Sequence, residues 1–238
     1  RKMKIKVMGF IFADLYSDDS NAAGYAGERS LASVHFGGRY RLIDFALSNM
    51  VNSGIYNIGI IVKSNYHSLM GHIGSGKDWD LSRKAGGVSI LPPYIVGQHD
   101  VEYRGKMDAV SHISGHIRHT NPEYVILADA NMLLNIDYND VIAQHERNEA
   151  DVTAVYTRKQ VHPSAQFNTI TYGLQRNGHI YELLTNPEPQ GEMNLSLNTW
   201  VMRTSTLMQL LSSEIPRGKW KFASDVLATS LDRLKVFG

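Results

Sequence analysis

Two glycines and two arginines set just ahead of a helix-forming run are the best chemical equipment in this chain. They read Gly37-Gly38-Arg39-Tyr40-Arg41, followed by Leu42-Ile43-Asp44-Phe45-Ala46-Leu47-Ser48-Asn49. A guanidinium presents a planar fork of donors that matches a phosphate bidentately. The amino end of a helix adds unpaired N–H groups and a favourable dipole. The pattern suits phosphate binding, with Arg41 foremost, although a Gly-Gly pair alone is also an ordinary turn signal. Asp44 and Asn49 share the helix and read either as ligands or as partners that fix it. Of the ten histidines, His112, His116 and His119 partly share one helical face. No carboxylates stand beside them in a zinc-like arrangement, so they read as a solvated or interface face.

These groups need a frame. Strand-like apolar runs at 4–13, 57–63, 87–91, 124–129 and 151–157 alternate with helix-like patterns at 42–53, 68–73, 107–118 and 140–148. Such alternation predicts an α/β fold: a mostly parallel central sheet with helices on both faces. Nucleotide sites in such sheets lie at the carboxyl ends of the strands. Beyond residue 160 the pattern turns to antiparallel strands at 169–174, 178–184 and 196–202, with a polar loop at 185–194 and helices at 205–212 and 222–233. We read one domain over residues 1–238, with an α/β part at 1–158 and a second part at 159–238. No linker rich in Gly, Ser or Pro and no internal repeat interrupts it.

Composition narrows the partners. The 238 residues, 43% of them hydrophobic, can bury a substantial core. With 24 basic and 23 acidic residues the net charge is +1, which gives no electrostatic reason to expect nucleic acid or a membrane surface. Cysteine is absent, which rules out disulfides and Cys-based zinc sites and fits a reducing cytoplasm. The basic-then-apolar start at 1–12 has a short apolar core and no prompt cleavage site, and reads as a first buried strand. No apolar run reaches the roughly 18 residues that span a bilayer. A cytoplasmic location is the expectation.

The run from His35 to Ile55 resembles the F-G-G-[KR]-Y-R-[IL]-I-D-F-x-L-S-N-x-x-N-S-G-I block of the ADP-glucose pyrophosphorylases (glucose-1-phosphate adenylyltransferases). Tyr103-Arg104-Gly105-Lys106-Met107-Asp108-Ala109-Val110 is similar to that family's W-Y-R-G-T-A-D-A-V segment, with Lys106 in place of the threonine and Met107 in place of the alanine. The resemblance implies a Rossmann-like nucleotide-diphospho-sugar transferase fold, with a nucleotide side at 1–158 and a sugar-phosphate side at 159–238. It also implies that a C-terminal left-handed β-helix is missing from this chain. Remnant ligand-binding positions carried over from the family are Arg41, Tyr103, Gly105, Asp108 and Ser196.

The same resemblance exposes departures. Where the family has a Gly-rich triphosphate loop, this chain has Ala13-Asp14-Leu15-Tyr16-Ser17-Asp18-Asp19-Ser20. The family's lysine in K-P-A-V-P-F falls on Leu31, its two Mg²⁺ aspartates on Asn131 and Lys221, and its E-K-P lysine on Asn186. Of S-M-G only the serine is kept, in Ser196-Leu197-Asn198. An amide and an ammonium in place of two carboxylates are poor Mg²⁺ ligands. The chain is therefore expected to have no catalytic residues, no metal and no cofactor. It most resembles the D-type regulatory subunit, on residues 28–34 and the altered metal positions. The expected partner is a catalytic subunit in a hetero-oligomer serving glycogen synthesis. Two alternatives stand beside this. One is an active enzyme with Mg²⁺, in which Asp129 replaces the lost carboxylate with help from Asp14, Asp18 or Asp225. The other is a sensor that binds nucleotide or sugar phosphate through Arg41, Gly105 and Ser196 without turnover.

Overall fold

A central strand, β1 (Val7–Phe12), is flanked on both sides by parallel neighbours, and the rest of the molecule is layered outward from it. The computed structural model describes residues 6–14, 30–63, 66–82, 86–93, 103–163 and 169–238. Lys4 and Ile5 of the expected first strand, Asp18 and the rest of 15–20, and residues 28–29 lie outside the described residues. The further strands are β2 (His35–Phe36), β3 (Tyr40–Arg41), β4 (Asn57–Ile61), β5 (Gly87–Leu91) and β6 (Tyr124–Asp129). They are followed by β7 (Val152–Val161), β8 (Ile170–Leu174), β9 (Ile180–Thr185), β10 (Gly191–Arg203) and β11 (Val236–Phe237). The main sheet runs β11-β7-β10-β6-β1-β4-β5, with β8 on β10 and β9 on β8. The β5-β4-β1-β6 half is wholly parallel, whereas β10 lies antiparallel to both β6 and β7.

Alternation along the strands sends side chains to two cores. Met8, Phe10, Phe12, Val125, Leu127, Trp200 and Met202 face one layer, which packs against α3 (Lys106–His112), α4 (Ser114–Thr120) and α6 (Thr204–Glu214). Ile11, Ile58, Ile60, Ile126 and Val201 face the other, against α1 (Leu42–Asn52), α2 (His67–Ile73) and α5 (Tyr138–Arg147). Helices therefore cover both faces, as the alternating pattern predicts. Among the described residues no helix is long and apolar enough to cross a membrane.

Three expectations need correction. The helix expected at 107–118 breaks at Ile113, where the Ser111 hydroxyl (2.7 Å) and His112 Nδ1 (2.8 Å) both turn back to the Asp108 carbonyl. Such local side-chain bonds compete with helix continuation. The polar loop at 185–194 is shorter, because β10 already pairs with β7 from Gly191 opposite Val161. The helix at 222–233 is a π-turn over Phe222–Leu227 followed by turns, with Val226 N on Lys221 O and Ala228 N on Ala223 O. The two-residue strand β11 gave no sequence signal of its own.

Polar anchors lock the layers. Asn49 Nδ2 donates to Leu134 O (3.0 Å) and its Oδ1 accepts from Ile136 N (3.4 Å). The Ser53 hydroxyl donates to Asn49 O (2.8 Å) and accepts from Tyr138 N (2.9 Å), and Asn139 Nδ2 donates to Ser53 O (3.0 Å). At the far end of α6 the fully buried Glu214 carboxylate meets Arg217 (3.1 Å), Lys219 (2.8 Å) and Arg233 (2.7 Å). Burial alone would raise this carboxyl; the bonds from Arg233, Lys219 and Ser213 and the charge of Lys219 override it and bring it down to about 2. The segment that follows, from Lys219 to Lys221, is thereby tied to α6.

Candidate functional site

The carboxyl ends of β1, β4 and β6 meet at one edge of the sheet, where an α/β fold places a nucleotide. Each end is fastened to its neighbours by main-chain bonds, Ala13 N to Ile61 O (2.9 Å) and Ala130 N to Phe12 O (3.0 Å). Just beyond β1, the Asp14 carboxylate accepts from Leu31 N (3.3 Å) and Lys63 N (3.0 Å). It binds together three segments of this edge, so its lone pairs face amides. Leu31 opens a single 3₁₀ turn, Leu31–Ser33, and places its amide rather than a charged side chain on Asp14.

Beyond β6 the feature that matters is an ion pair. Lys106 Nζ lies 2.9 Å from Asp129 Oδ2, with the two side chains 13% and 4% exposed. The ammonium also sits 5.6 Å from the centroid of the Phe12 ring and 5.4 Å from that of Trp200, within cation–π range of both. Asn131, two residues along, is half-buried, and its Oδ1 is buried without a hydrogen-bond partner.

The strip 103–108 is held against the segment that carries Lys221. Met107 N donates to Trp220 O (2.9 Å), and the Arg104 guanidinium stacks 3.3 Å from the Trp220 ring centroid. Gly105 is a close-approach position: a Cβ there would lie 2.3 Å from Trp220 O and 3.0 Å from Lys221 N. Asp108 is buried and accepts from Arg104 N (3.0 Å) and Nε (3.1 Å). The buried Tyr103 hydroxyl is pushed up to about 12 by burial and by the charge of Asp108. Asp225 Oδ2 accepts from Trp220 N (3.1 Å) and Lys221 N (2.9 Å), and its Oδ1 from the Ser224 hydroxyl (3.0 Å). It caps the π-turn.

The structure thus gathers Tyr103, Gly105, Asp108 and Lys221 around one strip. Arg41 and Ser196 have partners elsewhere. Arg41 follows a hairpin turn in which Gly37 and Gly38 take φ of 61° and 93°, a region glycine enters without strain. Its guanidinium donates to Ser68 O (2.8 Å) and Ser68 Oγ (3.1 Å) on α2. Asp44, on the next turn, accepts from Arg41 N (2.9 Å) and pairs with His72 (2.6 Å). Ser196 lies in a buried chain: Trp200 Nε1 donates to Tyr172 OH (3.1 Å), which meets Ser196 Oγ (2.9 Å), which reaches Asn198 Oδ1 (3.3 Å). Asn186 is exposed in a left-handed conformation, φ 51°.

These donors do not fit Mg²⁺. Asp129 is neutralised by an ammonium, Asp14 and Asp225 serve backbone amides, and Asn131 and Lys221 contribute no carboxylate. No three His, Asp or Glu side chains converge among the described residues. Sequence reasoning missed Lys106 as the partner of Asp129. The signal was a lysine in place of a threonine, but nothing in the spacing says that residues 106 and 129 touch.

Comparison with known proteins gives the family. The family described as nucleotidyl transferase matches residues 28–236. A glucose-1-phosphate adenylyltransferase of Thermosipho africanus is 34% identical over 207 residues, 86% of this chain and 50% of that protein. One of Clostridium perfringens strain SM101 is 34% identical over 182 residues, 76% of this chain and 46% of its own length. One of Thermotoga maritima is 35% identical over 198 residues, 82% and 46% respectively. The chain spans about half the length of these relatives. The chain belongs to the nucleotidyl transferase family, and the relatives named here are glucose-1-phosphate adenylyltransferases.

Proposed function

We propose that this chain is the nucleotidyltransferase-type domain of a regulatory, catalytically silent subunit of glucose-1-phosphate adenylyltransferase. The reaction it serves joins ATP and α-D-glucose 1-phosphate to give ADP-glucose and pyrophosphate, in the cytoplasm and toward glycogen. Its partner is a catalytic subunit in a hetero-oligomer. The observation that carries the reading is the Lys106–Asp129 pair at 2.9 Å. An active site here would need Asp129 as the replacement carboxylate for a divalent ion, and that carboxylate is already neutralised. A metal clamp on transferring phosphates is worth several kcal/mol of transition-state stabilisation. At 1.36 kcal/mol per tenfold, losing it costs on the order of a thousandfold in rate or more.

The test is pyrophosphate release from ATP and glucose 1-phosphate with Mg²⁺, using the full-length protein alone and then titrated into a catalytic subunit of the same organism. The expected outcome is no steady rate alone, and a saturable rise in the partner's rate or activator response. A rate from this protein alone that scales with its concentration and vanishes with chelator would overturn the reading in favour of an active enzyme.

A further inference from the structure

We propose that the amino-terminal edge of the parallel strands carries a second binding site, for a small molecule with a compact apolar body and one acidic group. It lies at the end of the sheet opposite the edge described above, and it stands whether or not that edge catalyses.

Segments from across the chain meet there because the parallel strands all begin there. Lys6 precedes β1 and Val7 opens it, Asn57 opens β4, Gly86 precedes β5, and Pro122 precedes β6. Helix α5 closes another side with Asn139, Ile142, Ala143 and Glu146. Together with the 53–56 turn they surround a cavity of about 860 Å³, a size that suits a small-molecule ligand. The walls are fixed by their own bonds. Lys6 O accepts from Glu123 N (2.7 Å) and Tyr124 N (3.2 Å), Tyr56 O from Gly87 N, and Ser53 O from Asn139 Nδ2 (3.0 Å). A preformed site needs little ordering when its ligand arrives.

The lining sets the ligand class. Ile55, Pro122 and Ile142 are buried behind it, and Val7, Tyr56 and Ala143 are half-buried against it. Such surface is stabilised when apolar atoms cover it. Two charged side chains stand among these groups. The Glu146 carboxylate already accepts from the Tyr124 hydroxyl (3.0 Å), whereas the Lys6 ammonium has no hydrogen bond or ion pair among the described residues. An incoming acid therefore finds a cation ready to meet it. Ser53 and Asn139 line the cavity too, so an occupant braces the lock that holds the 134–139 loop.

The experiment titrates the full-length protein with anilinonaphthalene sulfonate, an apolar ring system bearing one acid, and with its uncharged analogue phenylnaphthylamine. Fluorescence reads binding, and melting temperature reads whether the folded state is the one bound. The sulfonate is expected to fill one saturable site and to raise the melting temperature, as a ligand of the folded state does. Lys6→Gln should weaken the sulfonate by about two- to fivefold, the range for an exposed and salt-screened charge pair, and leave the neutral analogue unchanged. Ala143→Trp, which fills the cavity, should abolish binding of both. Bound sulfonate should also slow hydrogen exchange at the Tyr138 amide and leave that of Met107 unchanged. If Ala143→Trp does not fold, Ala143→Leu decides by the same criterion, a loss of affinity for both probes. Binding that never saturates, or that lowers the melting temperature, overturns the proposal, as does full affinity in a folded Ala143 variant. Wild-type affinity for the sulfonate in Lys6→Gln overturns it as well, because the acid then has no cation. Turnover enters none of these readouts, so this site and the silent reading of the other edge stand or fall separately.

Discussion

Helix α1 with its trailing Asn52-Ser53-Gly54-Ile55, and the strip where residues 103–108 meet 219–225, both match one family pattern and have fared differently. In the first, the side chains of Asn49, Ser53 and Asp44, with Arg41 just ahead of the helix, serve the frame. Asn49 and Ser53 hold the 134–139 loop, Asp44 holds Arg41 N and His72, and Arg41 holds Ser68. In the second, Lys106 is turned on Asp129 and Arg104 on Asp108, while Asp225 accepts from the amides of 220 and 221. The lesson is that a long motif match can report a scaffold. On the function proposed above, the groups that decide chemistry lie where the match is interrupted.

Three substitutions sharpen the contrast. The largest effect is expected for Glu214→Ala, which strands three cations and frees the segment that leads Lys221 to Gly105. Breaking a buried pair costs roughly 3–5 kcal/mol, and the lower end applies because Arg217 and Arg233 reach solvent. The sign with pH is fixed by a carboxyl held at about 2 in the fold. Its contribution is complete above the ordinary carboxylate range and is lost as pH falls through that range toward about 2. Urea unfolding at neutral and acidic pH should find the variant much less stable at neutral pH and closer to wild type in acid. A constant gap across pH would show that Glu214 acts by packing alone.

Next comes Gly105→Ala, whose new methyl would meet the Trp220 carbonyl at 2.3 Å. The backbone of 220–221 must shift, at about 1–3 kcal/mol. Hydrogen exchange should quicken at the Met107 amide, which bonds to that carbonyl, while the amide of Tyr138 stays protected. Equal loosening of both would erase the distinction between strip and scaffold. The smallest effect is Ser53→Ala, which removes one buried donor and leaves Tyr138 N without its acceptor, for about 1–2 kcal/mol. Here exchange should quicken at Tyr138 and leave Met107 unchanged.

Much of the frame was legible from pattern. The runs 57–63, 87–91 and 124–129 are β-rich apolar segments of strand length, and each became a parallel strand. Where the reading failed, long-range pairing or local side-chain bonds had overridden propensity. Gly191 to Asn194 look like loop but pair with β7, and Ser111 and His112 end a helix whose apolar period continues past them. Candidate site residues were nameable because the motif names them, yet their partners were not. That Ser196 meets Tyr172 across 24 positions, or Lys106 meets Asp129 across 23, is a property of the folded sheet, and no spacing rule contains it.

The bonds from Asn49 and Ser53 to the loop after β6 bridge 85 to 87 positions. During synthesis the ribosome delivers α1 long before its acceptors and donors exist. Until residue 139 has left the exit tunnel, this helix has its bonds to Ser68 and His72 but not the locks that Asn49 and Ser53 make. Closing so large a loop carries an entropy cost that grows slowly with length and must be met before the contacts repay it. The nascent first half should therefore stay loosely collapsed, open to chaperones, and set in one late step when the 134–139 segment arrives. Timing, and not only stability, is written into that asparagine and serine.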